Sequence, residues 1–283
     1  MRLGLLHSGI RGDEKLIIQA LKERTVDYEL IDIRKEILDP NDLRRWQGFD
    51  VILERSISTV KGNAAIEFFT NLGIRIVNDS HVMAICNDKF QTASVLEKHN
   101  IPTAKSILVF DEAGAKQAVE ILGGLPVVVK SRNGSWGRLI AKVNDIEALE
   151  AILDHKSYMG PEHSAIVIQE YVEKPGRDIR AFVINHKCIA AIYRSSEHWI
   201  TNTARGGEAS NCELTDEIMT ICENASKAVG GGILALDLFE TDGGLIVNEI
   251  NHTMEFKNSE NPTGVSISGA IVDYCINLTK DEL

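Results

Sequence analysis

The sequence predicts a chain of mixed α/β and α+β class, with a doubly wound N-terminal domain at residues 1–88 and two α+β subdomains at 89–168 and 169–283. Three observations carry that prediction. Strand-length apolar runs alternate with helix-length segments through the first 88 residues, the order of a doubly wound unit. From Asn87 onward the alternation gives way to hairpins interspersed with helices. Near the C-terminus, two apolar runs at 234–239 and 245–251 flank Thr241-Asp242-Gly243-Gly244, the composition of a hairpin turn. With 283 residues, 44% of them hydrophobic, the chain can bury a sizeable core.

In order, residues 2–7 read as a strand, 14–24 as a helix, and 28–33 and 49–54 as strands. Residues 63–72 then form a helix closed by Gly73, and 74–77 a strand. The first loop, Ser8-Gly9-Ile10-Arg11-Gly12-Asp13, lacks the third glycine of G-x-G-x-x-G, which excludes a nicotinamide dinucleotide. Beyond it come a helix at 89–99, a strand at 106–109, a helix at 111–122 and a strand at 125–130. Residues 139–143 pair back as a strand and 145–153 form a helix. The run 165–172 is a buried strand continuing into 176–180.

Two segments carry chemistry. In the hairpin, Glu249 and Asn251 are i and i+2 on one strand and share a face, and the neighbouring strand can bring Asp237 beside them. Two carboxylates on one buried face require a cation, and hard oxygen donors suit Mg²⁺. The competing reading, edge-strand carboxylates facing solvent, has equal weight from the hairpin alone. Upstream, the β-branched run 125–130 delivers Lys130 to its end, and Ser131-Arg132-Asn133-Gly134-Ser135-Trp136-Gly137-Arg138 follows at once. Backbone N–H groups in such a loop can wrap anionic oxygens. It is no Walker A loop, because the lysine precedes the glycines.

Composition excludes several classes. A formal net charge of −11 argues against nonspecific binding to nucleic acid or anionic membrane. The five cysteines show no C-x-x-C spacing and read as free thiols of a reducing, cytoplasmic setting. No apolar run reaches transmembrane length, and the N-terminus offers no h-region of a secretory leader. The final Lys280-Asp281-Glu282-Leu283 matches a retention signal that has nothing to act on without a leader, and is expected to be a coincidence.

Taken together, these ordered motifs resemble the ATP-grasp ligases across nearly the whole chain. The resemblance implies ATP and Mg²⁺ as cofactors, clamped by the two α+β subdomains. It implies that Lys89 and Lys130 contact phosphates, that Gly134, Ser135, Trp136, Gly137 and Arg138 form a lid, and that Gln169, Glu170, Tyr171 and Val172 meet the adenine. Glu173 or Asp178 would lie near the ribose, and Asp237, Glu249 and Asn251 would ligate Mg²⁺. Within the superfamily, Gly176-Arg177-Asp178-Ile179-Arg180, Arg194 and Asn202-Thr203-Ala204-Arg205-Gly206-Gly207 are similar to the branch that adds amino acids to C-terminal glutamates, typified by the ribosomal S6 modification enzyme. The run Asn248-Glu249-Ile250-Asn251-His252-Thr253-Met254-Glu255-Phe256-Lys257-Asn258-Ser259 is similar to the LysX family, which joins 2-aminoadipate to the carrier protein LysW in lysine biosynthesis. The glutamate-using ArgX relatives carry Gly-Phe where this chain has Asn258-Ser259.

That likeness implies an acyl phosphate formed on the carrier's C-terminal glutamate and displaced by the α-amine of 2-aminoadipate. Lys130, Arg180 and Arg194 become the candidate catalytic groups, the two arginines gripping phosphoryl oxygens. Asn202 would touch the nucleotide. Thr203, Ala204, Glu255, Phe256, Lys257, Asn258 and Ser259 would line the amino-acid pocket. Related ligases imply a dimer or tetramer. Arg177 and Arg205 remain alternatives to the two arginines, and no general base for the amine emerges, His252 being read as structural.

Overall fold

The computed structural model describes residues 1–134, 139–201 and 208–280. Its first sheet contains β1 (Arg2–His7), β2 (Asp27–Asp32), β3 (Val51–Glu54) and β4 (Ile76–Val77), all parallel in the order β2-β1-β3-β4. Both faces are covered, as a parallel sheet requires. Leu6 and Ile52 pack against α2 (Thr59–Asn71) through Ala65, Ile66 and Phe69. Leu3, Leu5, Val51 and Leu53 pack against α1 (Gly12–Glu23) and, from the far end of the chain, against α9 (Ile267–Leu278), which follows the single turn α8 (Glu260–Thr263). The C-terminal helix, which the sequence analysis left unassigned, thus completes the N-terminal layer.

Two short helices, α3 (Ser80–Asn87) and α4 (Lys89–Lys98), lead away from this sheet, capped by Asp79 and Asp88. The sequence reading found the second and missed the first. A four-stranded antiparallel sheet follows: β5 (Ser106–Val109), β6 (Val127–Ser131), β7 (Ile140–Val143) and β8 (Ile166–Glu170), in the order β5-β8-β6-β7. Helices α5 (Glu112–Ile121) and α6 (Ile146–Ser157) cover one face through Val127, Val129 and Ile168. The other face carries Val128, Lys130 and Gln169 and is left for the cleft.

The third sheet, in the order β11-β10-β9-β12-β13, is fully antiparallel: β9 (Arg177–Ile184), β10 (Lys187–Ser195), β11 (Glu208–Cys212), β12 (Ile233–Thr241) and β13 (Gly244–Asn251). The expected hairpin is β12–β13, closed by the two-residue turn Asp242-Gly243. Helix α7 (Asp216–Val229) covers one face together with α3 and α4. On the opposite face Phe182, Ile184, Ile233 and Ala235 pack on the N-terminal layer. The same face continues past Arg180 and Asp237 as a charged strip.

Several sequence-based boundaries shift. The strand expected at 165–172 stops at Glu170, and β9 runs on to Ile184. Strands β10 and β11 and helix α7 were not assigned from sequence. All five cysteines are free and buried. No helix among the described residues is long and apolar enough to cross a membrane.

Candidate active site

Register, rather than sequence proximity, assembles the charged strip. Asp178 and Arg180 are i and i+2 on β9 and point the same way. Across from Arg180 on β12 stands Asp237, across from Asp178 on β10 stands Arg194, and across from Asp237 on β13 stands Glu249. Arg180 grips Asp237 with two bonds, Nε–Oδ1 at 2.8 Å and Nη2–Oδ2 at 2.9 Å. Arg194 grips Asp178 at 2.6 and 2.8 Å and reaches Asp237 Oδ2 at 3.0 Å. Thr201 donates its hydroxyl to Asp178, and Lys174 donates to Thr201 at 2.8 Å. Burial would raise the Asp237 carboxyl, but Arg180 and Arg194 outweigh it and hold it at about 2. Burial likewise opposes the charge on Arg194, and Asp237 and Asp178 more than restore it.

Two lysines approach this strip. Asp88 caps α4, which sets Lys89 on its first turn, where Nζ meets Glu249 Oε1 at 3.2 Å and the Gly134 carbonyl. Arg132 pairs with Asp88, and its carbonyl accepts from the Lys89 N–H at 2.9 Å, so the base of the loop after β6 is tied to α4. From β6, Lys130 Nζ donates at 3.2 Å to Asn248, the extra residue of a bulge beside the Asp237–Glu249 pair. Burial pulls the Lys130 ammonium down to about 8; Glu249 and Asp237 oppose that fall, while Lys89 and Lys174 add to it.

Three cavities meet here. The first, about 90 Å³, lies between the two antiparallel sheets. Val128, Ile140, Tyr171, Val172, Trp199 and Phe239 give it apolar walls, Glu170 its rim, and Lys130 and Arg194 its inner end. Its shape and chemistry suit a flat heterocycle with an anionic tail. The second, about 170 Å³, runs from Lys89, Gly134, Arg180 and Glu249 to the C-terminal ends of β1 and β3. The third, about 30 Å³, is lined by Arg180, Arg194 and the run Glu255, Phe256, Lys257, Asn258 and Ser259. Arg194 borders all three.

Most of the expected site residues are thus brought together, Glu173 being the exception among the described ones. Glu173 is exposed and lines none of these cavities, although Tyr171, Val172 and Lys174 on either side of it line the cleft. Asp178 lines the cleft, with both of its oxygens engaged by Arg194 and Thr201. Arg177 pairs with Glu240. Ser135, Trp136, Gly137, Arg138, Asn202, Thr203 and Ala204 lie outside the described residues. Asn251 lines the central cavity with Asp237 and Glu249, and its Nδ2 is buried without a partner among the described residues. Two carboxylates and an amide are hard donors that fit Mg²⁺ only in company with other oxygens, such as those of phosphates. No cluster of three or more His, Cys, Asp or Glu side chains that could hold a metal occurs among the described residues.

The sequence reading missed a second set of residues. The loop after β1, read only for its missing glycine, holds the 255–257 run. Asp13 Oδ1 accepts from the N–H groups of Phe256 at 2.6 Å and Lys257 at 2.8 Å, and Arg11 pairs with Glu255 at 2.8 Å. Gly12 permits the approach, since a Cβ there would meet Lys257 Cδ at 3.0 Å. Burial, with the Arg55 charge adding to it, lowers His252 to about 4, so its ring is neutral at physiological pH.

Residues 86–275 match the RimK-like ATP-grasp domain, and residues 3–85 match the LysX preATP-grasp domain. Over 273 residues the chain is 32% identical to the alpha-aminoadipate–LysW ligase LysX of Saccharolobus solfataricus, covering 95% of this chain and 99% of that one. It is 31% identical to the glutamate–LysW ligase ArgX of Sulfurisphaera tokodaii over 278 residues, covering 97% and 98% of the two chains. Among solved structures, a RimK domain ATP-grasp protein from Sphaerobacter thermophilus superposes with a TM-score of 0.80 at 24% identity, covering 97% of this chain and 99% of that one. The chain belongs to the RimK-like ATP-grasp family of ATP-dependent carboxylate–amine ligases.

Proposed function

We propose that this ligase joins the α-amine of 2-aminoadipate to the γ-carboxylate of the C-terminal glutamate of a small acidic LysW-like carrier, as a cytoplasmic step of lysine biosynthesis. The observation that carries the proposal is the junction of the three cavities at Arg194, with Arg180 bordering the two beyond the nucleotide cleft. A carboxylate, a phosphoryl donor and an amine can meet there. In this reading the 169–172 edge takes the adenine, and Lys89 and Lys130 take the phosphates. Arg180 and Arg194 stabilise the charge on the transferring phosphoryl group, so catalysis is largely positioning and electrostatics. Asp237, Glu249 and Asn251 would hold Mg²⁺, which when bound supplies positive charge to the phosphate oxygens. By the family resemblance, Asn202 would contact the nucleotide, and Thr203 and Ala204 the amino acid.

The division at residues 88 and 168 leaves the first domain as the doubly wound unit and assigns the lid to the second and the metal and amino-acid sites to the third. The choice of 2-aminoadipate rests on Asn258 and Ser259, short polar side chains on the smallest cavity. Glutamate is the second reading, favoured by the near-equal identities of the LysX and ArgX relatives. The test is ADP release with 2-aminoadipate or glutamate, with and without a LysW-type carrier. Release that needs both carrier and amino acid, with the higher kcat/KM for 2-aminoadipate, is expected. Carrier-independent release, or a preference for glutamate, overturns the proposal.

A further inference from the structure

Four carboxylates line the central cavity: Glu54, Asp237, Glu249 and Glu255. Three have cations. Asp237 is held by Arg180 and Arg194, Glu249 by Lys89 and Glu255 by Arg11. Glu54 forms no ion pair among the described residues. It ends β3 at the C-terminal edge of the parallel sheet, the side on which open α/β sheets bind ligands, and is 5% exposed. One oxygen accepts the Ser56 N–H, and the other accepts the Thr253 hydroxyl at 3.5 Å. The adjacent Arg55 is turned away to Glu14, at 3.2 Å. The backbone of α2 presses on the carboxylate from the remaining side, since a Cβ on Gly62 would stand 2.9 Å from Oε1. Burial drives the carboxyl of Glu54 upward, with Ser56, Arg55 and Thr253 opposing.

A buried carboxylate without a cation is costly, and the cavity it borders is the one that must admit an amine. We infer that Glu54 receives the ammonium group of the incoming amino acid and takes its proton before attack. The inference rests on the acyl-phosphate reading above. The ammonium gives one proton to the Glu54 carboxylate. The freed amine then forms the C–N bond to the acyl carbon, the C–O bond to phosphate breaks with its electron pair leaving on inorganic phosphate, and the second amine proton passes to solvent. In this reading Arg180, Arg194 and Lys89 would face the phosphoryl group, while Glu54 stands on the N-terminal wall beside Arg11, whose charge is engaged by Glu14 and Glu255.

The test compares two nucleophiles on one acyl phosphate. 2-Aminoadipate arrives protonated, whereas hydroxylamine is already neutral at neutral pH and needs no base. With a LysW-type carrier and ATP, Glu54→Gln keeps an acceptor for the Ser56 N–H and is expected to lower the rate with 2-aminoadipate about 10²-fold or more, as loss of a proton acceptor does. Its hydroxamate formation is expected to stay within about twofold of the parent. Glu54→Asp, which retracts the carboxylate, is expected to lower the ratio of the two rates partially. Equal losses with both nucleophiles, or no loss with either, overturn the role of Glu54. A parent enzyme that makes no hydroxamate overturns the acyl-phosphate reading itself, and the inference with it.

Discussion

Lys130 ties nucleotide binding to pH in a calculable way. Its ammonium is buried at the inner end of the cleft and titrates near 8 rather than the ordinary 10.5. The difference corresponds to roughly 3 kcal/mol against the charged form in the empty protein. A triphosphate beside Nζ reverses that preference, so binding above pH 8 must carry a proton onto Lys130. The affinity for a non-hydrolysable ATP analogue with Mg²⁺ is therefore expected to be flat from pH 7 to 8 and to fall towards about tenfold per pH unit above it. Calorimetry in buffers of different ionisation enthalpy reads the proton uptake directly. Lys130→Met should bind more weakly at pH 7 and lose most of the slope. The empty protein shows the opposite trend. Between about pH 8 and 10.5 the unfolded chain holds a proton on Lys130 that the folded chain has released, so this group makes stability rise with pH in that window. A dissociation constant unchanged from pH 7 to 9.5, or a slope that survives in Lys130→Met, refutes the argument.

Three further outcomes follow from the geometry. Glu249→Gln removes one charge from the expected Mg²⁺ donors, and the Mg²⁺ concentration for half-maximal activity should rise at least about tenfold; an unchanged Mg²⁺ titration rejects the donor assignment. Asn258→Gly combined with Ser259→Phe should shift the kcat/KM ratio from 2-aminoadipate towards glutamate by about 10–200-fold, the worth of one methylene in a fitted pocket; a fixed ratio with lower overall activity removes this pair from chain-length choice. Asn78→Ala deletes three buried hydrogen bonds, to Ile233 N–H and C=O and to the His252 carbonyl, at 2.7–2.8 Å. Urea unfolding should show a loss of about 3 kcal/mol, and less than 1 kcal/mol contradicts the view that Asn78 fastens β12 and β13 to the N-terminal layer.

What the sequence revealed was what local pattern encodes. The β-branched run 125–130 marks the strand that carries Lys130, and the Asp-Gly turn brings Asp237 level with Glu249. What it hid depends on pairing between distant segments. Because β9 lies between β10 and β12, the ladder joining Asp178, Arg180, Arg194 and Asp237 spans 60 residues and has no local periodicity. Arg11 and Asp13 were passed over because their loop was compared with a dinucleotide motif, whereas its partners are at 255–257. Glu54 looked like the polar end of an apolar strand; only the tally of cations around the cavity distinguishes it. Helix α9 packs beside α1, the length of the chain away, which no reading of either helix alone could supply.

Whether this site joins an amino acid to the carrier's terminal glutamate is read from the intact mass of the carrier. The carrier is incubated with enzyme, ATP, Mg²⁺ and an equimolar mixture of 2-aminoadipate and glutamate. A gain equal to one 2-aminoadipate less one water is expected, located at the C-terminal glutamate and absent when that residue is deleted. ADP formed with no change in carrier mass, or a gain equal to glutamate less water, contradicts the proposed function.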